Sequence, residues 1–349
     1  MNMKLPTIKE IAKQLNVSIS TVSRALHNHS SIGRCTKMRV QQLAKELNYE
    51  PNQAAISFKK RKTFTIGVVL PNLKEEFFSN AISGIEDVAT QNKYNVLIGQ
   101  SHDDVEREMQ IITAMKNQRV DGIIVSLSKH TKDYGHFTTL EKYNIPIVFF
   151  DRVPTLPDVN KVSFNMASGT AEAIEFLIAK GHRRIGILNG PEEMKSSKER
   201  TETYKQILIK KRLKIDLSLV VSTDLTREST ERAMQQLLSM KPKPTAVLAI
   251  NDYVALDGIQ YVRKQNLLID KDITFVSYAN LPITSYLEHP PLASVEQYPY
   301  EQGKQAATIL MNSIQSDSNR NGKSYQNIVI NGKLVVHQNN VPEHRQKGF

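Results

Sequence analysis

Apolar side chains recur three and four positions apart in three short blocks over the first fifty residues, the spacing of amphipathic helices. Ile8, Ile11, Ala12 and Leu15 mark the first helix. Thr7 and Glu10 stand at capping-box spacing at its start, and Asn16-Val17 break it. Ser18 is the next N-cap, after which Val22, Ala25 and Leu26 share one face and Ile19, Ser20, Ser23 and Arg24 point away. A third helix uses Met38, Val40, Leu43, Ala44 and Leu47, with Gly33 as a weaker cap. Two short helices joined by a tight turn predict a helix-turn-helix, whose second helix lays its first residues in the DNA major groove. A small helical bundle that binds protein, or nothing, fits the same periodicity.

From Phe64 the pattern changes. FTIGVVL, NVLIG, DGIIVS, PIVFF, RIGILN, AVLAI and ITFVSY are strand-like, with helical stretches between most of them. That alternation predicts parallel sheets covered by helices on both faces, and seven or more strands predict two sheets. Ligands of such folds bind beyond the C-terminal ends of the strands. Pro71, Asn72, Phe77, Phe78, Asp151, Arg152, Asn189, Asn251, Asp252, Ala279 and Asn280 occupy those ends. Each also admits a plain structural reading: Asn251 or Asp252 as a helix cap, Asp151 and Arg152 as a mutual pair, or Phe77-Phe78 as core.

Charge sharpens the division between the two halves. Residues 1–62 hold twelve Lys/Arg and three Glu, a net +9 out of +11 for the whole chain of 349 residues. A basic head on a near-neutral body predicts a polyanion partner, nucleic acid before an anionic membrane, because the head lacks a long apolar face to insert. At 40% hydrophobic and 23% charged residues the composition is that of a soluble globular protein. No run reaches the roughly 18 apolar residues of a membrane span, and the start lacks signal-peptide features. With the lone Cys35, this predicts a reducing cytoplasm and no internal disulfide.

Motifs of catalysis are missing. The sequence has no G-x-S-x-G elbow, P-loop, H-E-x-x-H or post-strand G-x-G-x-x-G, and its nine histidines are scattered. The reading is a protein that is not an enzyme and needs no metal or cofactor.

TIKEIAKQLNVSISTVSRALHN, LNYEPN, the basic tract, TIGVVLP, IEDVA, RVDGIIV, GHRRIGIL, PTAVLAIND and PPLASVEQ follow in an order that resembles LacI/GalR-type (lactose-repressor family) bacterial transcription regulators over nearly the whole chain. The resemblance implies an N-terminal all-α helix-turn-helix domain (1–50), a hinge helix and basic linker (51–62), an α/β body of two doubly wound, periplasmic-binding-protein-like subdomains (63–340), and a tail (341–349). It divides the body into about 63–162 with 293–322, and 163–292 with 323–340. It implies that Ile19, Ser20 and Arg24 read bases, that Thr7, Thr21, Ser23 and Thr36 meet phosphates, and that the hinge residues Asn52, Ala55, Phe58 and Lys59 enter or flank the minor groove. Phe58 stands where a leucine wedge is usual; a phenyl ring can also unstack a base step. Eight residues are too few for a stable isolated helix, so DNA and a partner hinge must order this segment.

For the effector, the resemblance implies Asn72, Phe78, Asp151, Arg152, Arg200, Asn251, Asp252 and Ala279. Ala279 and Phe164 depart from commonly acidic positions, which leaves Arg200 short of an anion and suggests a sugar acid or sugar phosphate alongside plain sugars as effector. The partners implied are a palindromic double-stranded DNA operator, a small-molecule effector and a second copy of the chain, in a bacterial cytoplasm at the nucleoid, with no membrane. A leucine-heptad tetramerisation tail is not visible. The implied function is a ligand-responsive regulator of carbohydrate uptake or catabolism, most simply a repressor. An activator or a regulator of nucleotide metabolism shares the fold, and outside regulation a soluble solute-binding protein shares the body.

Overall fold

The computed structural model describes residues 6–51, 56, 60, 62–316 and 324–337. Two compact units emerge, Met1–Phe64 and Thr65–Phe349.

Among its described residues the first unit includes the helices α1 (Ile8–Leu15), α2 (Ile19–Leu26) and α3 (Arg34–Glu46). The capping box at α1 forms in both directions: the Thr7 amide donates to Glu10 Oε2 at 2.7 Å, and the Glu10 amide to Thr7 Oγ1 at 3.4 Å. At α2, Ser18 Oγ accepts the Thr21 amide at 3.1 Å. Gly33 begins α3 with no side-chain cap. Ile11, Val22, Ala25 and Val40 are fully buried at the centre of this small core. Met38 does not join them and is 59% exposed. Two residues from Val40 is about 200° around a helix, so Met38 faces away from the side that Val40, Leu43 and Ala44 bury.

The second unit contains two six-stranded sheets. The first is built from β1 (Thr65–Leu70), β2 (Asn95–Gln100), β3 (Gly122–Val125), β4 (Ile147–Phe150), β5 (Asn160–Asn165) and β11 (Asn327–Asn331), ordered β11-β5-β4-β3-β1-β2, all parallel. The second is built from β6 (Ile185–Asn189), β7 (Val220–Ser222), β8 (Ala246–Ala249), β9 (Thr274–Tyr278), β10 (Ala293–Glu296) and β12 (Lys333–Val336), ordered β12-β10-β9-β8-β6-β7. Only the β10–β12 pair is antiparallel. Central strands such as β3, β8 and β9 are buried at every residue, because helices cover both faces. Those helices are α4 (Glu76–Gln91), α5 (Val105–Asn117), α6 (Gly135–Glu141) and α11 (Pro299–Gln315) on the first sheet. On the second they are α7 (Met166–Ala179), α8 (Lys195–Lys210), α9 (Arg227–Ser239) and α10 (Asp252–Lys264).

The chain passes between the subdomains three times, after β5, after β10 and after β11. The division expected from sequence is corrected at the C-terminal end. Residues 293–296 pair in the second sheet rather than the first, and residues 327–331 in the first rather than the second. Strand pairing at this range is decided by which edge lies free, which periodicity along the chain does not encode. The crossovers meet around Phe164. A Cβ on Gly332 would come within 2.7 Å of the Phe164 ring and 2.9 Å of Val295, and one on Gly169 within 2.9 and 2.8 Å of the same two side chains. Glycine at both positions is what lets three chain segments approach this ring.

Candidate effector cleft and DNA-reading face

On α2 the small core takes Val22 and Ala25, so the remaining faces of the helix are left to solvent. Ile19 is 46% exposed, and Ser20 and Arg24 are also exposed. Ile19 is one of several large apolar side chains left exposed, and it stands in the first turn of α2. Thr21 and Ser23 are half-buried on its flank, Thr36 sits half-buried in the first turn of α3, and Thr7 is exposed at the N-terminus of α1. The hydroxyls here are already organised: Ser18 Oγ lies 2.8 Å from both Ser20 Oγ and Thr21 Oγ1. Asn52, Ala55, Phe58 and Lys59 lie outside the described residues.

In the second unit a cavity of about 820 Å³ opens between the two sheets, at the C-terminal ends of their strands. Of the expected effector residues, Phe78, Asp151, Arg152, Arg200, Asn251 and Ala279 line it, and Asn72 and Asp252 do not.

Asn72 closes its own turn, accepting the Lys74 amide at 2.9 Å. Asp252 is fully buried at the first turn of α10. Its carboxylate accepts the hydroxyls of Ser277 and Ser294 and, at 2.6 Å, the Leu281 amide. Placed as a ligand contact by sequence, Asp252 instead ties α10 to β9, β10 and the segment after β9. Burial pushes its carboxyl up from the ordinary range despite those hydrogen bonds.

Asn251 keeps the plain role as well as the cleft position, capping α10 through the Val254 amide at 2.8 Å. Asp151 has a left-handed backbone (φ 56°) and accepts Ser126 Oγ at 3.1 Å. Burial raises its carboxyl, with the Arg152 guanidinium pulling the other way. The alternative reading of a mutual Asp151–Arg152 pair does not hold, since the ion pair of Arg152 is with Asp103. Phe78 is 1% exposed and edge-on to Phe77 (5.2 Å between centroids) and Phe150 (6.4 Å), so one aromatic cluster serves both core and cleft wall. Ala279, at φ 95°, is held by its amide bond to Val295 O at 3.0 Å.

Arg200 is 1% exposed. Its Nη1 donates to Asn189 Oδ1 at 2.6 Å, Nη2 reaches Met166 Sδ at 3.3 Å, and the guanidinium lies 4.7 Å from the Tyr278 ring centroid. Asn189, read from sequence as a strand-end ligand candidate, is spent on this arginine and on Ser197 O and Thr201.

Sequence reasoning missed the segment after β3. Lys129, His130 and Thr131 line the cleft, and their loop is pinned from below by Glu108, a buried carboxylate that accepts the Ser128 amide (2.7 Å), Thr131 Oγ1 (2.9 Å) and His136 Nε2 (3.1 Å). The strand-end rule pointed there, since DGIIVS ends at this loop. Among the described residues, no group of three or more His, Cys, Asp or Glu could hold a metal ion, and no helix is long and apolar enough to cross a membrane.

A model of bacterial regulatory proteins of the lacI family matches residues 7–52, and one of periplasmic binding proteins and the sugar binding domain of the LacI family matches residues 63–338. The chain is 31% identical over 311 residues to the HTH-type transcriptional repressor CytR of Escherichia coli strain K12, covering 88% of this chain and 90% of that protein. The chain belongs to the LacI family. Catabolite control protein A of Priestia megaterium is another relative, 29% identical over 87% of this chain and 91% of that one. Among solved structures, a lac repressor dimer bound to operator and the anti-inducer ONPF matches with a TM-score of 0.82 at 25% identity, covering 95% of this chain and 98% of that one. This LacI-family chain thus joins a helix-turn-helix unit to a periplasmic-binding-protein-like body, and its relatives are transcription regulators.

Proposed function

We propose that this LacI-family protein is a ligand-responsive repressor that binds a palindromic operator as a homodimer and controls carbohydrate uptake or catabolism. The observation that carries the reading is the exposed face of α2. Ile19, Ser20 and Arg24 stand clear of the core on a unit whose stretch of sequence holds +9 of the chain's +11. A guanidinium there can donate two hydrogen bonds to one guanine edge, and the hydroxyls of Thr7, Thr21, Ser23 and Thr36 suit phosphates. Phe58 and Lys59 supply the minor-groove wedge and a neighbouring phosphate contact once the hinge folds on DNA.

The cleft supplies the control. A small polar ligand gripped between two subdomains joined only by three crossovers biases their relative arrangement, and a ligand preferring one arrangement shifts operator affinity by its differential affinity. Relatives support carbohydrate as the class: one is named ribose operon repressor, and one solved neighbour is a regulator bound to cellobiose.

Selection from a pool of random DNA duplexes tests the reading. Full-length protein is expected to enrich a palindrome whose half-sites lie about one helical turn apart. Enrichment of no shared sequence overturns it.

A further inference from the structure

We infer that the effector carries an oxyanion, a carboxylate or a phosphate, and that this group is received by Arg200. The inference rests on the reading of the cleft as an effector site.

Arg200 is a cation taken almost wholly out of water and given only neutral company. Asn189 supplies an amide oxygen, Met166 a thioether sulfur and Tyr278 a ring face. Its Nε has no hydrogen-bond partner. No carboxylate oxygen comes within 4.0 Å of it among the described residues. Without an anion, these neutral contacts offset only part of the desolvation cost of a buried guanidinium.

Glu75, Asp151 and Glu193 share the cleft lining with Arg200, yet none comes within 4.0 Å of its guanidinium, and other acids are engaged elsewhere. Asp252 is held by two serines and the Leu281 amide, and Asp103 by Arg152. On the same helix as Arg200, Glu199 faces Lys195 (3.5 Å) and Glu202 faces Lys205 (3.3 Å). Tyr278 does not serve as the anion either: burial pushes its phenol up, with the Arg200 guanidinium beside it pulling the other way, and its hydroxyl lies 2.7 Å from Thr170 Oγ1. Arg200 borders the cleft together with Phe164, Met166 and Ala279, so a counter-charge can come to it from a bound ligand.

A planar guanidinium with a free Nε–H matches an oxyanion better than a lone hydroxyl, because two parallel charge-assisted hydrogen bonds can form. The volume of about 820 Å³ accommodates a sugar acid or sugar phosphate.

Titration calorimetry of the full-length protein tests this with matched probes: D-gluconate, D-glucuronate and D-glucose 6-phosphate against D-glucose, D-ribose and cellobiose. At least one anionic probe is expected to bind about tenfold or more tighter than D-glucose, a difference of about 1.4 kcal/mol. The carboxylate and phosphate arms separate the two sources of the oxyanion. Arg200→Lys should weaken the preferred probe and keep some preference for charge, and Arg200→Met should abolish that preference. Should neither variant fold, the preference shown by the wild-type protein still decides the matter. Binding of neutral probes alone, equal binding of both classes, or binding of none overturns the inference. The repressor reading is judged separately, by the duplex selection, which contains no ligand.

Discussion

The backbone amide of Leu281 donates to Asp252 Oδ2 across 2.6 Å, deep beneath the floor of the effector cleft. Ser277 and Ser294 complete the carboxylate's partners, so one side chain anchors the N-terminus of α10, two strands and the segment that follows β9. Asp252→Ala would leave the Leu281 amide and one of the two hydroxyls without an acceptor, since Ser277 Oγ and Ser294 Oγ lie 2.8 Å apart and can serve only one of them. Urea denaturation should show a loss of about 3 kcal/mol. A loss under about 0.5 kcal/mol, within the range of surface substitutions, would mean the carboxylate is not the anchor.

Glu108 gives stability a pH dependence. Burial alone would push its carboxyl up, but hydrogen bonds from His136, the Ser128 amide and Thr131 outweigh it and leave the group below its ordinary value. A depressed carboxyl contributes stability that is complete above the unfolded value, about 4.3, and is lost as pH falls through the lower folded value. Glu108→Gln should therefore cost about 1–3 kcal/mol at pH 7 and progressively less toward pH 3. Melting curves across that range check it; an unchanged gap between variant and wild type would contradict the assignment.

Helices α4 and α11 touch backbone to backbone. A Cβ on Gly303 would come within 2.0 Å of the Ala81 carbonyl oxygen, and one on Gly84 within 2.1 Å of that of Tyr300. Glycine to alanine inside an exposed helix normally stabilises by about 1 kcal/mol. Here the sign reverses: Gly303→Ala should lower stability by about 1–3 kcal/mol as the helices are forced apart. A rise in melting temperature would show that the contact yields freely.

In the DNA-reading unit the substitutions separate two roles. Arg24→Ala should cost about 1–3 kcal/mol at the operator and relax the choice of base it reads. Phe58→Ala should reduce operator bending instead. Competition binding and bending assays on circularly permuted fragments check the pair; equal effects on operator and random DNA from Arg24→Ala would remove its base-reading role.

Much of this was legible in the chain. Caps and periodicity located α1, α2 and α3, since Thr7, Glu10 and Ser18 act on neighbours three residues away. In the body, seven strands announced themselves as apolar runs, most of them because parallel strands inside a sheet are covered on both faces. β5, β7, β10, β11 and β12 did not: β7, β11 and β12 are exposed edge strands, and β5 and β10 interleave polar residues, as in NKVSFN and ASVE, so none shows such a run. The exchange of residues 293–296 and 327–331 between sheets stayed hidden because it depends on pairing with strands far along the chain. Strand-end position placed Asp151, Asn251 and Ala279 at the cleft. It could not tell that Asp252, one residue beyond Asn251, turns inward, because neighbouring residues at a helix start lie about 100° apart.

The most direct test of the central claim is a mobility shift of the full-length protein on the selected palindrome across a salt series, with and without the best-bound probe. The account predicts specific binding that weakens steeply and linearly in log–log form as salt rises, and a shift in operator affinity when the probe is added. Absence of specific DNA binding at low salt would contradict it.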